Sequence, residues 1–174
     1  MTDQPQGQSG WRLADQTDLQ FLYHLAAALD PRWWQISKDF LSPESVIAKV
    51  GTYAAGAVVI NEGEPCGFAG LRGHQKSDVA FIDLLALPNE ESVEAVTKCA
   101  PQLLRAAFEI SPVRRLLYER FHDDPHFLED LGDVCSLEYA LPEFALIDGR
   151  YVDRLSYAID KAEFIRFAAD RGEA

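Results

Sequence analysis

Along this chain the spacing of apolar positions switches repeatedly between the helical period and the strand period. Residues 15–29, DQTDLQFLYHLAAAL, put Leu19, Leu22, Tyr23, Ala26 and Leu29 on one face and predict a helix. Asp30-Pro31 ends it, because a residue before proline disfavours the α region. A short run ahead of it, WRLA, predicts a first strand. RWWQISKDFL reads as an irregular aromatic connection, and SPESVIAKV as a short helix capped by Ser42 with Pro43 in its first turn.

The next stretch changes period. Two β-rich runs flank NEGEP, a hairpin turn signal, and VAFIDLLAL is so nearly continuously apolar that it predicts a buried central strand. A helix is expected from 92 to 110. Pro101 falls inside it and costs about 3 kcal/mol in a helix interior, so the helix should kink there or divide in two. VRRLLYERFH predicts a strand reached through that helix, the mark of a parallel βαβ unit. DPHFLEDLG predicts a short helix closed by Gly132, followed by two strands around Asp148-Gly149 and a closing amphipathic helix or tail. The order is β-α-α-β-β-β-α-β-α-β-β, a mixed α/β domain with one parallel crossover.

Composition narrows the function. The 174 residues suit one domain, with a polar tail over 1–10, a single domain over 11–165 and a C-terminal end over 166–174. The polar start carries no basic and apolar leader, which makes the cytoplasm the expected location. A net charge of -12 argues against nucleic acid and anionic membranes as partners and favours a cationic or amine-bearing one. Three scattered cysteines, Cys66, Cys99 and Cys135, form no disulfide framework and no CxxC zinc pair.

The order of elements and the residues filling it resemble the GNAT superfamily of N-acetyltransferases, in the branch that acetylates protein N-termini, polyamines and amino-sugar antibiotics. FLEDLGDVCSLEYALPEFALIDGRYVDRLSYAIDKAEF is similar to that branch's ending, GEPCGFAGLRG to its hairpin, and RAAFEISPVRRL to its helix-to-strand passage. The likeness runs from about residue 10 to 165. It implies a GNAT-like fold: a central, mostly antiparallel sheet with one parallel strand-helix-strand crossover and helices on both faces. It also implies acetyl-CoA, or another acyl thioester, in a cleft between the fourth and fifth strands. There the resemblance assigns the pantetheine arm to the backbone of Leu85, Ala86 and Leu87, and the pyrophosphate to the following helix start.

At that helix start the sequence departs from the family. The loop pattern Gln/Arg-x-x-Gly-x-Gly/Ala falls on Glu91, Ser92, Val93, Glu94, Ala95 and Val96. A cation or amide is replaced by Glu91, and glycines by Glu94 and Val96. No glycine occurs between Gly73 and Gly132 to restore the loop in another register. Acids here also have a plain structural use, since each stabilises a helix N-terminus by about 0.3–1 kcal/mol. The family's general-acid tyrosine position is Leu128, and Asp133 stands where a phenylalanine follows the glycine.

Asp83 interrupts an apolar strand, so it is expected either paired or on an open cleft face, and it is the candidate base for the amine. His122, Asp123, Asp124 and His126 cluster; His122 and Asp124 are candidates for the substrate wall. Pro125 between the histidines argues for a solvated turn over a metal site, and no metal is expected. Trp33 and Trp34 fall where the resemblance puts the acceptor pocket, and adjacent tryptophans also suit a core or a partner surface. Three functions remain open: an acyltransferase acting on a small-molecule or peptide amine, a binding or regulatory module that has lost acetyl-CoA, and a subunit that docks a protein partner or forms a homodimer.

Overall fold

The computed structural model describes residues 9–29, 41–73 and 78–171. Seven strands form one sheet: β1 (Gly10–Leu13), β2 (Ala55–Asn61), β3 (Glu64–Gly73), β4 (Val79–Ala86), β5 (Arg115–Phe121), β6 (Cys135–Ile147) and β7 (Arg150–Asp160). Their order across the sheet is β1-β2-β3-β4-β5-β7-β6, so β4 is central as its composition predicts. Every neighbouring pair is antiparallel except β4 and β5. The helices are α1 (Leu19–Leu29), α2 (Pro43–Val50), α3 (Glu90–Ile110) and α4 (Lys161–Asp170). This is the mixed α/β sheet with a single parallel crossover that the sequence pattern predicts.

Two hairpins turn on residues with positive φ. Glu62 and Gly63 stand at 51° and 89°, and Asp148 and Gly149 at 50° and 75°. Two consecutive left-handed residues give the tight turn whose twist matches that of the flanking strands.

Two cores hold the helices to opposite faces of the sheet. α3 buries Ala95, Val96, Cys99, Ala100, Leu103, Leu104, Ala107 and Phe108 in the larger one, against Val59, Ile82, Leu84, Ala86 and Leu116. α1 and α2 meet over Phe68 through Leu22, Leu25, Ala26 and Val46. Leu25 thus joins the buried face of α1, which the 19-22-23-26-29 spacing omits. Leu19, Tyr23 and Leu29 are only half-buried.

Three further expectations change. α3 runs unbroken through Pro101 and starts at Glu90, because the Asn89 side chain caps it by accepting from Ser92 N at 2.9 Å. The lost backbone bond costs about 3 kcal/mol. Burying its eight apolar side chains, up to about 1.5–3 kcal/mol for each large one, outweighs that. The helix expected over DPHFLEDLG is instead a 3₁₀ turn, Glu129–Val134, with no side-chain cap at Leu128. Gly132 lies inside it at φ 53°, ψ −129°, away from the left-handed geometry that closes a helix. So few residues between Pro125 and Gly132 cannot meet the cost of helix nucleation. Finally, β4 is not buried on both faces. Residues 80, 82, 84 and 86 are buried under α3, while 79, 81, 83 and 85 on the other face are only half-buried.

Candidate functional site

The half-buried face of β4 leads to a cavity of about 470 Å³. Its origin is a divergence of strands. β4 and β5 pair from Val79↔Arg115 to Ile82↔Tyr118 and no further. Beyond that point β4 stays bonded to β3 as far as Ala86, and β5 to β7 as far as Phe121. The two inner edges therefore splay apart with their backbones unpaired to each other. Leu87 N donates to Cys66 O on β3 at 2.9 Å. By the alternation of strand bonding, Asp83 and Leu85 also bond toward β3, and Leu84 and Ala86 aim their N–H and C=O at the gap.

The cavity has two ends of different character. Leu29, Leu85, Ala86, Leu87, Pro88, Val93 and Phe127 give it an apolar wall. The polar wall carries Arg72, Arg120 and Arg154 with Asp83, Glu119 and Asp124. Three cations and three anions balance there, so the chain's net acidity lies elsewhere and does not tune this wall for a cation.

Those charges are closed on one another. Arg72 donates through Nε to Asp83 Oδ2 at 2.8 Å and through Nη2 to Asp83 Oδ1 at 3.0 Å, a bidentate pair. Tyr53 OH donates to the same Oδ2 at 2.8 Å. Arg72 Nη2 also reaches Glu119 Oε2 at 3.4 Å, where Arg154 Nη2 donates as well. Tyr139 OH donates to Glu119 Oε1 at 3.1 Å. The chain Tyr53–Asp83–Arg72–Glu119–Arg154 thereby ties β3, β4, β5 and β7 together at the cleft mouth. Arg72 lies over the Phe81 ring at 4.6 Å and Arg154 over Phe144 at 4.9 Å, which fixes both guanidinium planes. Arg120 instead holds the turn after β5, donating from Nη1 to the carbonyls of Phe121, His122 and Asp124 at 3.0, 2.9 and 2.7 Å. Tyr118 OH donates to Pro125 O at 3.2 Å, and burial pushes its phenol far up, so it stays protonated.

At the start of α3 two amides are already taken. Ser92 N is taken by the Asn89 side chain, and Val93 N by Asn89 O at 3.1 Å. Glu90, Glu91 and Glu94 are exposed around it, and Glu94 pairs with Lys98 at 2.6 Å. Val96 is fully buried beneath the sheet. A pyrophosphate asks for free amides, close backbone approach and no anions. The residues present do not fit that group.

Of the residues singled out in the sequence, Asp83, Leu85, Ala86, Leu87, Val93 and Asp124 stand in the cavity wall. Ser92, Ala95 and Val96 are buried in the protein and Glu94 is on its surface. His122 is exposed and its Nδ1 lies 3.2 Å from Asp123 Oδ1. His126 is engaged separately: its Nδ1 accepts from Leu128 N at 3.4 Å, and burial lowers its pKa. No three His, Cys, Asp or Glu side chains among the described residues are grouped as a metal ion would need. Trp33 and Trp34 lie outside the described residues. Sequence reasoning missed Arg72, Glu119 and Arg154. The signal that singled out Asp83, a charge inside an apolar strand, applies equally to Glu119 in RLLYERF and Arg154 in RYVDRLSYAID.

No protein-family model matches this sequence, and no curated protein does. Solved structures match over nearly the whole chain. A point mutant of spermidine N-acetyltransferase SpeG from Vibrio cholerae superposes with a TM-score of 0.74 at 18% identity, covering 91% of this chain and 96% of that one. SpeG from Vibrio cholerae in complex with manganese ions gives 0.72 at 18% identity, over 91% and 96%. A protein provisionally named a phosphinothricin N-acetyltransferase gives 0.67 at 18% identity, over 87% and 98%. The splayed parallel pair, the strand order and these superpositions agree: the chain has the fold of the GNAT N-acetyltransferases.

Proposed function

We propose that this protein is an N-acyltransferase that moves an acyl group from a thioester to an amine. The observation that carries this reading is the end of the β4–β5 ladder at Ile82/Tyr118, which leaves a strand edge bare inside a cavity. An extended, amide-bearing donor arm can pair with such an edge as an added strand would. The neighbours' names, spermidine and phosphinothricin N-acetyltransferases, point to an amine as acceptor.

The chemistry asked of the cleft is modest. The amine nitrogen attacks the thioester carbonyl carbon, the C–S bond breaks, and the proton lost by nitrogen ends on the departing sulfur. Leu84 N–H or Ala86 N–H, aimed at the gap, would stabilise the oxyanion. Asp83 would take the proton from the amine, directly or through water. Both its oxygens are engaged by Arg72 and Tyr53, which hold the carboxylate in place.

A second reading is a binding module without catalysis. The self-capped, acidic start of α3 favours it, because a lost cofactor leaves such a site free to drift. Thiol release decides between the two. The protein is incubated with S-acetylpantetheine or acetyl-CoA and a panel of amines that includes spermidine, amino acids and short peptides. Amine-dependent release that falls in Asp83→Asn supports the transferase. No release from any donor and amine with folded protein leaves the binding module.

A further inference from the structure

We infer that the cleft takes an acyl donor without a nucleotide diphosphate: a pantetheine-type thioester arm, bound through β4 and the apolar wall. This rests on the acyltransferase reading.

Three features act together against the diphosphate. Two amides of the helix start are used: Ser92 N donates to the Asn89 side chain and Val93 N to the Asn89 carbonyl. The surrounding field has the wrong sign, since Glu90, Glu91 and Glu94 are all exposed at this helix start. Of these only Glu94 has a basic neighbour along the helix, Lys98, and that pair is fully in solvent. Finally, the first turns of α3 cannot loosen into a cradle, because Val96 is packed into the core against Gly67 of β3.

The part of the cavity nearest this helix is consistent with the same conclusion. Leu85, Ala86, Leu87, Pro88 and Val93 line it, and no cation stands among them. The three arginines of the wall are bound to Asp83, to Glu119 or to backbone carbonyls. A neutral chain of amides and methylenes matches such a wall. A diphosphate there would lose its water shell with no charged group among those described residues to replace it.

Calorimetric titration with acetyl-CoA and with S-acetylpantetheine tests the inference, on the wild type and on Glu90→Gln/Glu91→Gln/Glu94→Gln. Glutamine keeps the helix propensity, so this variant should fold, and circular dichroism checks it. The wild type should bind S-acetylpantetheine at least as tightly as acetyl-CoA. Any acetyl-CoA binding should strengthen as salt rises from about 0.01 to 1 M, because screening removes repulsion. The variant should gain about tenfold for acetyl-CoA and nothing for S-acetylpantetheine. A wild-type preference of about tenfold or more for acetyl-CoA, weakening with salt, overturns the inference. If the wild type binds neither probe, the acyltransferase reading fails by itself; a gain for acetyl-CoA in the folded variant then still upholds the exclusion, and no gain overturns it.

Discussion

Val96 fills the space that Gly67 leaves empty. A methyl group on Gly67 would run into Val96 Cγ2 and lie 2.7 Å from the Leu85 carbonyl oxygen. The bulk of Val96 on α3 is thus matched by a missing side chain on β3, and helix and strand fit as a pair.

Gly67→Ala should therefore destabilise the protein by about 1–3 kcal/mol, the usual cost of overpacking. Val96→Ala should cost about 0.5–3 kcal/mol by removing buried methyls. The double variant should be more stable than the sum predicts, with a coupling of about 0.5–3 kcal/mol. Rescue stays partial because the Leu85 carbonyl remains in the way. Urea denaturation of the four proteins measures it, and strict additivity would contradict the packing described.

Arg72 stands between two carboxylates, with side-chain exposures of 21% for Arg72, 11% for Asp83 and 9% for Glu119. Arg72→Met strands Asp83 and should cost about 3–5 kcal/mol. Arg72→Met/Asp83→Leu should recover much of that loss, since it removes the buried charge along with its partner. A double variant no more stable than Arg72→Met would mean that the pair is not electrostatically coupled.

Asp18 links charge to pH. Its hydrogen bonds from the Arg12 guanidinium, at 2.6 and 2.8 Å, hold its carboxyl below the ordinary value of 3.8, and the Asp15 amide adds to this. A depressed folded-state pKa gives stability that is present above the unfolded value and lost as pH falls below it. Asp18→Ala should cost about 1–3 kcal/mol near pH 7. The gap in melting temperature from the wild type should narrow as pH drops below 3.8. A gap that does not change with pH would show that Asp18 acts through packing alone.

The three thiols should be silent in the folded protein. Burial pushes Cys66 up to about 11 and Cys135 up to about 12, and raises Cys99 as well. Thiolate is the reactive form, so very little is present near neutral pH. Labelling with a disulfide reagent should be slow natively and reach all three after denaturation. Rapid native labelling of any one would place it outside the core described.

Much of the architecture was legible because it is periodic or local. The β-rich runs of β2 and β3, the turn pairs Glu62-Gly63 and Asp148-Gly149, and the Ser42 cap are written in residues a few positions apart. The resemblance of the C-terminal third pointed to the right fold, and Asp83 stood out as a charge in an apolar strand. What nearby residues could not show was set by contacts distant in the chain. Pro101 allowed a kink or a division into two helices, and α3 is not divided because its buried face lies against the sheet. The apolar run of β4 looked buried on both sides, but the divergence of β5 opens one side onto a cavity. Tyr53, Arg72, Glu119 and Arg154 come together with Asp83 only when β3, β4, β5 and β7 are adjacent. The sequence by itself determined most of the elements and the acidic character of the α3 start. Tertiary structure alone decided where the cleft opens, which charges close on one another there, and that Val96 is wedged against Gly67, because each depends on strand pairing between residues tens of positions apart.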